Sequence, residues 1–307
     1  MRIAVIIGVG VVLVAPCFAQ QAAEQPADEQ ARAALSKTGF SLEVAGRWIG
    51  KSDLDASPGE VGVARVSTRL GVRHQLSDKV GLTFAAELEH SVYDFDNATG
   101  LIAGTSNPFD DATIATLSLG AQVRVSEQDA WFVTGFVRSA GESGADFNDT
   151  ITGGGIVGFQ RTFSKDLTLG IGVLASSELE GDVYIIPVPM VRWQIAERWS
   201  LATGQGADVR LAFAPSERWA FGLEAAWDRR EFRLDDRGPL PSGVVDERHI
   251  PVGLFARFTP NANFSLDAHL GTQLGSEIEI ENRNGNQVGQ DDIDPALYAG
   301  LDLSIRF

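Results

Sequence analysis

Apolar and polar residues alternate from Phe40 to the last residue of the chain, with the period of two that is typical of β-strands. The segment 80–89, for example, places Leu88 on one face and Glu87 and Glu89 on the other. Alternation of this kind predicts antiparallel strands with one apolar face and one polar face.

Polar segments divide this pattern into 14 strands, or 12 if Trp199–Ala214 does not form spanning strands. Short turns are predicted at residues 77–79, 126–129, 164–166, 196–198, 215–218 and 259–262. Longer connections lie between them, near residues 52–60, 94–111, 141–149, 178–182, 235–247 and 281–294. Because either strand count is even, both ends of the predicted sheet lie on the side of the short turns.

The N-terminus has the features of a cleavable secretory signal. Arg2 precedes an apolar run over 3–14, and Cys17-Phe18-Ala19 places small residues where a signal peptidase needs them. The run is shorter than the roughly 20 residues of a membrane-spanning helix. We therefore expect a signal peptide over 1–19 and a Gln-rich periplasmic leader over 20–38. A lipoprotein cleaved before Cys17 is an alternative that Pro16 disfavours.

Cleavage after Ala19 removes the only cysteine, which excludes disulfides, thiolate metal sites and cysteine nucleophiles from the mature chain. The net charge of −16 opposes binding to nucleic acid. No segment has the spacing of an EF-hand, and no cofactor or defined metal site is expected.

The C-terminal segment is a long alternating strand that ends on an aromatic residue, with Leu301, Leu303, Ile305 and Phe307 on its apolar face. It resembles the closing strand of Gram-negative outer-membrane β-barrels. The resemblance implies an all-β, antiparallel, up-and-down transmembrane barrel of 12 to 14 strands over 39–307, located in the cell outer membrane. It also implies contact with outer-membrane lipid and lipopolysaccharide, and recognition of this C-terminal signature by the barrel assembly machinery.

In such a barrel the apolar faces meet lipid and the polar faces line the lumen. The predicted lumen-lining residues carry both signs of charge. They are Arg65, Arg69, Arg73, Glu87, Glu89, Arg192, Arg210, Glu224, Asp228, Asp267, His269, Asp302 and Arg306, with Arg124, Arg257, Glu277 and Glu279 on the same faces. These charges either pair across strands to fill a narrow barrel or form a constriction that selects small polar solutes.

The short turn at 77–79 restricts how the strands on either side of it pair. If both apolar faces stay together, paired residue numbers sum to an even value near 156, which sets Arg69 opposite Glu87. A sum of 154 would instead bring Arg65 opposite Glu89.

An irregular wall is predicted between residues 183 and 214. Pro187 and Pro189 remove two amide donors from the same strand edge, and Gly204 and Gly206 flank a turn between two short strands. This irregularity is either a simple defect at the rim, a lateral opening, or a hairpin folded inward.

No catalytic site is predicted. His269 is the best-placed histidine, but Ser265 on the same face is roughly 13 Å away along an extended strand, too far to be activated. About half of the 41 acidic residues fall in the longer connections. They are either solvated loop residues or carboxylates that bridge divalent cations to lipopolysaccharide phosphates.

The sequence thus favours a porin-like channel for small polar solutes. The alternative is a non-conducting structural or surface-interaction barrel that binds lipopolysaccharide or divalent cations.

Overall fold

The computed structural model describes residues 37–307, except residues 182, 205 and 206. The predicted signal peptide and nearly all of the predicted leader lie outside the described residues. The described chain forms fifteen strands and one short 3₁₀ helix. The strands are β1 (Thr38–Asp53), β2 (Glu60–Ser77), β3 (Val80–Asp96), β4 (Asp111–Arg124), β5 (Asp129–Gly141), β6 (Ile151–Ser164), β7 (Leu167–Ser177), β8 (Val183–Ala196), β9 (Trp199–Thr203), β10 (Ala207–Phe213), β11 (Trp219–Arg233), β12 (Val244–Asn261), β13 (Phe264–Glu281), β14 (Gln287–Ile293) and β15 (Ala296–Arg306). The helix, Phe147–Thr150, lies between β5 and β6.

The strands form one closed antiparallel barrel. Each strand from β1 to β13 pairs with the next one along the chain, and β15 closes the ring by pairing with both β13 and β1. β14 pairs with the outer end of β13, and its last residue, Ile293, forms a bridge with Leu54, so β14 continues β15 toward the outside and adds no further strand to the ring. The barrel therefore has 14 strands, which confirms the predicted fold class at its upper strand count.

The outer surface of the wall is apolar, as the alternation predicts. Leu70, Leu119, Leu270 and Leu301 are all more than half exposed, while their neighbours on the opposite face are covered. A lipid bilayer requires a protein with apolar side chains on its outside and a fully paired backbone. The apolar outer surface of this barrel therefore fits the hydrocarbon of a membrane. No helix among the described residues is long and apolar enough to cross a membrane.

All six predicted short turns lie at one end of the barrel, and the longer connections lie at the other. Outer-membrane barrels carry short periplasmic turns and long extracellular loops, which orients the protein. Two predicted connections are partly wrong. Strand β12 begins at Val244, and residues 287–293 form β14 rather than an open loop.

A bulge changes the phase of β13 near its extracellular end. Gly275 adopts φ +55°, and the pairing of β13 with β12 shifts by one residue beside it. An extra residue in one strand moves every following side chain to the opposite face. Ile278 is therefore buried inside the barrel, and the prediction that Glu277 and Glu279 face the lumen is wrong.

Candidate functional site

The lumen holds the charged residues of the candidate site. β2 and β3 pair with the register sum of 156, so Arg69 lies opposite Glu87 and Ser67 opposite Glu89, as predicted. The thirteen predicted lumen residues all lie on the inner faces of their strands, opposite the lipid-facing apolar residues. Arg73 and Arg306 continue these faces to the periplasmic mouth. What these residues do in transport stays a prediction.

A buried ion cluster crosses the middle of the lumen. Arg65 of β2 donates hydrogen bonds to the Glu247 carboxylate of β12, which also accepts a 2.7 Å hydrogen bond from the Tyr93 hydroxyl. Arg230 of β11 donates to Glu89 of β3 at 2.7 Å. In both ion pairs the two strands are not neighbours in the barrel wall, so the side chains bridge the interior.

His249 and Asp228 extend this cluster. The His249 Nε2 atom lies 3.2 Å from Asp228, which lies 3.1 Å from the Arg230 guanidinium. Both His249 and Arg230 are buried. Opposite charges and shared carboxylates let several ionisable groups occupy one low-dielectric space.

A second ion cluster lies nearer the periplasm. His269 places Nδ1 2.6 Å from Glu224 and Nε2 3.1 Å from Asp302, and Asp302 also accepts hydrogen bonds from Arg47. Arg210 lies 3.1 Å from Glu224. The ring nitrogens of His269 thus face two carboxylates. Among the contacts described for this ring there is no serine hydroxyl, and nothing at the site resembles a catalytic triad.

Asp267 connects the second cluster to an arginine on the strand next to its own. Its carboxylate lies 2.8 Å from Arg257 on the neighbouring strand and 3.4 Å from Arg210. The two clusters, one at mid-depth and one toward the periplasm, form two layers along the barrel axis, and each layer contains both signs of charge.

An apolar cluster, the outer plug, closes the extracellular end of the lumen. It joins residues from nine strands to the β3–β4 loop, residues 97–110, which folds into the barrel. The loop contributes four buried residues: Ala98, Leu101, Ile102 and Phe109. Phe109 packs edge-on against Tyr93, with ring centroids 4.8 Å apart, and against Phe232 at 5.4 Å. The remaining members are Ile49, Leu54, Val61, Val63, Tyr93, Ala112, Ala140, Phe232, Leu234, Val245, Ile278, Ile280, Ala296 and Tyr298.

The extracellular end of β11 crosses the barrel. Arg233 pairs with Gly141 of β5, although β11 and β5 are far apart in the order of the wall. Both faces of this strand end are covered, and consecutive residues Arg229 and Arg230 are buried together. A small cavity of about 20 Å³, enough for about one water molecule, remains beside it. Its lining residues are Glu87, Glu89, Ile114, Thr116, Arg138, Arg229 and Arg230.

Several acidic loop residues hold the loops together instead of facing bulk water. Glu178 lies 2.7 Å from Arg229, and Glu180 pairs with Arg233. Glu142, outside the strands, accepts backbone hydrogen bonds from Asp110 and Asp235. Burial raises the pKa of the Glu142 carboxyl above its usual range. The described residues contain no group of three or more potential ligands that would hold a metal ion.

The irregular wall segment is present where the prolines predict it. The hairpin of β9 and β10 pairs with the base of β8 and with β11, so it lies in the wall and does not fold into the lumen. Gly204 lies at the tip of this hairpin, and Gly206 lies outside the described residues. Pro187 and Pro189 both lie in the part of β8, from Val183 to Trp193, that pairs with β7.

Sequence reasoning missed several residues of the lumen clusters. Asp246 and Glu247 were assigned to an outer loop, but they belong to β12 and form ion pairs inside the protein. Arg229 and Arg230 gave no alternating signal, because both faces of their strand end are buried. The alternation of Val245, Glu247 and His249 is the signal that could have placed β12 correctly.

Residues 113–307 match a family model described as a domain of unknown function, DUF6268. The chain belongs to the DUF6268 family. A comparison of this DUF6268 chain with curated protein sequences found no match.

Solved outer-membrane barrels resemble the DUF6268 chain in fold. An outer-membrane channel, COG4313, from Pseudomonas putida F1 has a TM-score of 0.50 at 14% identity, covering 88% of this chain and 96% of that one. The P. putida toluene transporter TodX has a TM-score of 0.39 at 10% identity, with 88% and 90% covered. The KdgM porin has a TM-score of 0.35 at 6% identity, with 85% and 97% covered. At 14% identity, the similarity to the COG4313 channel shows the fold alone. The protein is an outer-membrane β-barrel.

Proposed function

We propose that this protein is a gated outer-membrane channel for small polar solutes. The observation that carries the proposal is the layered charge inside the barrel, where Arg65–Glu247 and Arg230–Glu89 bridge the interior and His269 lies between two carboxylates lower down. Charged side chains that face each other across a narrow passage select solutes by width and by electric field. The interior of a 14-strand barrel is also wider than the interior of a small barrel, which side chains alone can fill.

The outer plug acts as the gate in this proposal. Leu101, Ile102 and Phe109 belong to a loop and not to the wall, so they can leave the lumen without breaking the hydrogen bonds of the barrel. Once the plug has left the lumen, the ion pairs in the middle of the lumen are the filter that solutes must still pass. Small zwitterionic or polar molecules fit such a filter because it offers both signs of charge.

A non-conducting barrel is the second candidate, and the same plug favours it. The extracellular end is filled by fully buried apolar side chains such as Phe232 and Ile280. A scaffold of this kind would present its loops at the cell surface, where carboxylates could bind divalent cations or lipopolysaccharide.

Current through planar bilayers distinguishes the two candidates. We expect infrequent, small steps from the refolded mature protein and several-fold larger steps when residues 98–109 are replaced by a short Gly-Ser linker. A matched control replaces residues 283–286, which lie in an exposed turn outside the plug. It should behave like the wild type. Faster migration of unheated samples on gels verifies that each variant is folded. Silence from both the wild type and the folded plug variant would favour the scaffold instead.

A further inference from the structure

One edge of β8 has no strand partner over most of its length. β9 pairs with β8 only between Arg192 and Ala196, since β9 is five residues long. Above that point, residues 183–190 of β8 pair with β7 on one side and, among the described residues, with no strand on the other. The next wall strand that reaches this height is β11, which turns away to meet β5. The wall therefore has a gap, roughly 25 Å of strand in length, in its outer half.

The sequence of β8 suits an edge without a partner. The Val191 amide donates to the Thr203 hydroxyl of β9 at 2.8 Å, and that hydroxyl donates to the Pro189 carbonyl. Backbone groups two residues apart point to the same side, so Pro187 and Pro189 lie along the gap. Unpaired amides facing hydrocarbon cost several kcal/mol each, and proline has none to leave unpaired. The two prolines thus stabilise an open edge.

An apolar surface lies behind the gap. The inner faces of β5 to β8 carry a cluster of buried side chains, with Tyr184 and Ile186 packed against it: Phe132, Phe136, Ile156, Leu174, Val188 and Met190. Here, as in the outer plug, apolar residues take the place of the charges that line the rest of the described inner wall. On its outer side β8 presents Val183 and Ile185, each at least 60% exposed. Apolar side chains thus face the gap from inside and from outside.

Ion pairs hold the extracellular end of the gap. The Arg229 guanidinium lies over the Tyr184 ring at 5.5 Å and 2.7 Å from Glu178 of the β7–β8 loop. The Leu179 amide donates to Glu231 at 3.1 Å. These contacts join β11 to β8 through side chains. The backbone edge of β8 along the gap below them stays without a strand partner.

We propose that a small, uncharged apolar molecule passes through this gap between the outer leaflet and the apolar inner face of β5–β8. The occupant follows from the surroundings: the gap lies at the depth of the hydrocarbon, prolines remove two of the amide donors along its rim, and its inner wall is apolar. Polar solutes would lose their hydration there with nothing to replace it. This lateral route goes beyond the axial channel and does not depend on the outer plug.

Photolabelling of the full mature protein in liposomes tests the route. The probe is 3-trifluoromethyl-3-(m-iodophenyl)diazirine, an apolar molecule that dissolves in the bilayer, and mass spectrometry locates the labelled residues. We expect the inner-facing Tyr184 and Ile186 of β8 to be labelled to a similar extent as the lipid-facing Ile185. On the closed part of the wall, lipid-facing Leu117 should be labelled several-fold more than its inner-facing neighbours Thr116 and Ser118. If Tyr184 and Ile186 are labelled as weakly as Thr116, the gap is closed and the proposal is wrong.

Closing the gap gives a second, independent measurement. The mature chain has no cysteine if cleavage follows Ala19, so the double variant Y184C/R229C can be joined across the gap with a short bis-methanethiosulfonate reagent. The cross-link should lower labelling of Ile186 several-fold and leave Leu117 unchanged. The matched control A45C/S67C joins β1 and β2 at an inner-facing pair where the wall is already closed, and should leave Ile186 labelled. Unchanged labelling of Ile186 in the cross-linked gap variant would mean entry through the axial mouth and would contradict the proposal. Neither measurement uses ion current. The lateral route can therefore be confirmed or contradicted even if the barrel proves not to conduct ions along its axis.

Discussion

Glu247→Gln is expected to destabilise the barrel by about 3 to 5 kcal/mol, the usual cost of leaving one charge of a buried pair uncompensated. Arg65 and Glu247 are both nearly inaccessible to solvent, and Glu247 also accepts the Tyr93 hydroxyl hydrogen bond. Glutamine keeps the shape of the side chain but removes the charge that offsets the buried guanidinium. Urea unfolding of the refolded protein in lipid vesicles measures the change.

Two control variants separate this effect from a loss of packing. The double variant R65M/E247L removes both charges together and should recover most of the stability, because a well-packed apolar pair replaces a buried ion pair at little cost. Glu277→Gln removes a carboxylate at the extracellular rim, 4.0 Å from Arg248, and should cost no more than about 1 kcal/mol. If Glu247→Gln costs no more than Glu277→Gln, water reaches the central cluster and the lumen is not closed as described.

Deletion of Phe307 is expected to reduce the amount of protein in the outer membrane several-fold, with a much smaller effect on the folded barrel itself. The Phe307 side chain is 73% exposed, and its backbone exchanges two hydrogen bonds with Phe40 of β1. Losing those bonds costs about 1 to 3 kcal/mol. The resemblance of the C-terminal strand to the signature read by the assembly machinery predicts an additional loss during assembly.

Comparing cells with refolding in vitro separates the two contributions. The deletion variant should refold in vesicles in good yield while its level in outer-membrane fractions falls. Phe84→Ala removes another lipid-facing aromatic side chain, on β3, and should reach the membrane at a normal level. Normal outer-membrane levels of the Phe307 deletion would show that the C-terminal strand carries no assembly signal.

The wall was predictable from the sequence because local rules determine it. Alternation places Leu88 outside and Glu87 inside, and the short turn after Ser77 leaves few registers, of which the sum of 156 is found. The prolines of β8 likewise predicted the irregular part of the wall, because a proline lacks an amide donor whatever the rest of the fold is.

The contents of the lumen were harder to predict because they depend on contacts between distant segments. Nothing local shows that Leu101 and Phe109 turn inward, or that the end of β11 crosses to Gly141 and buries Arg229. A one-residue bulge at Gly275 reverses the face of Glu277, and periodicity counted along an unbroken strand misses such a reversal. The ion pairs that hold the loops follow from these long-range arrangements.

Ion selectivity of the barrel without its plug tests the central claim most directly. Arg69 and Glu87 face each other across β2 and β3 between the central cluster and the periplasmic mouth. Arg69→Glu in the variant with residues 98–109 replaced should shift the reversal potential toward cations, because a positive charge on the path becomes negative while the wall stays intact. Reversal potentials measured across a salt gradient report the change, with Arg218→Glu in a periplasmic turn as the matched control. A conducting Arg69→Glu variant with unchanged selectivity would show that ions do not follow the charged lumen, and would contradict the account.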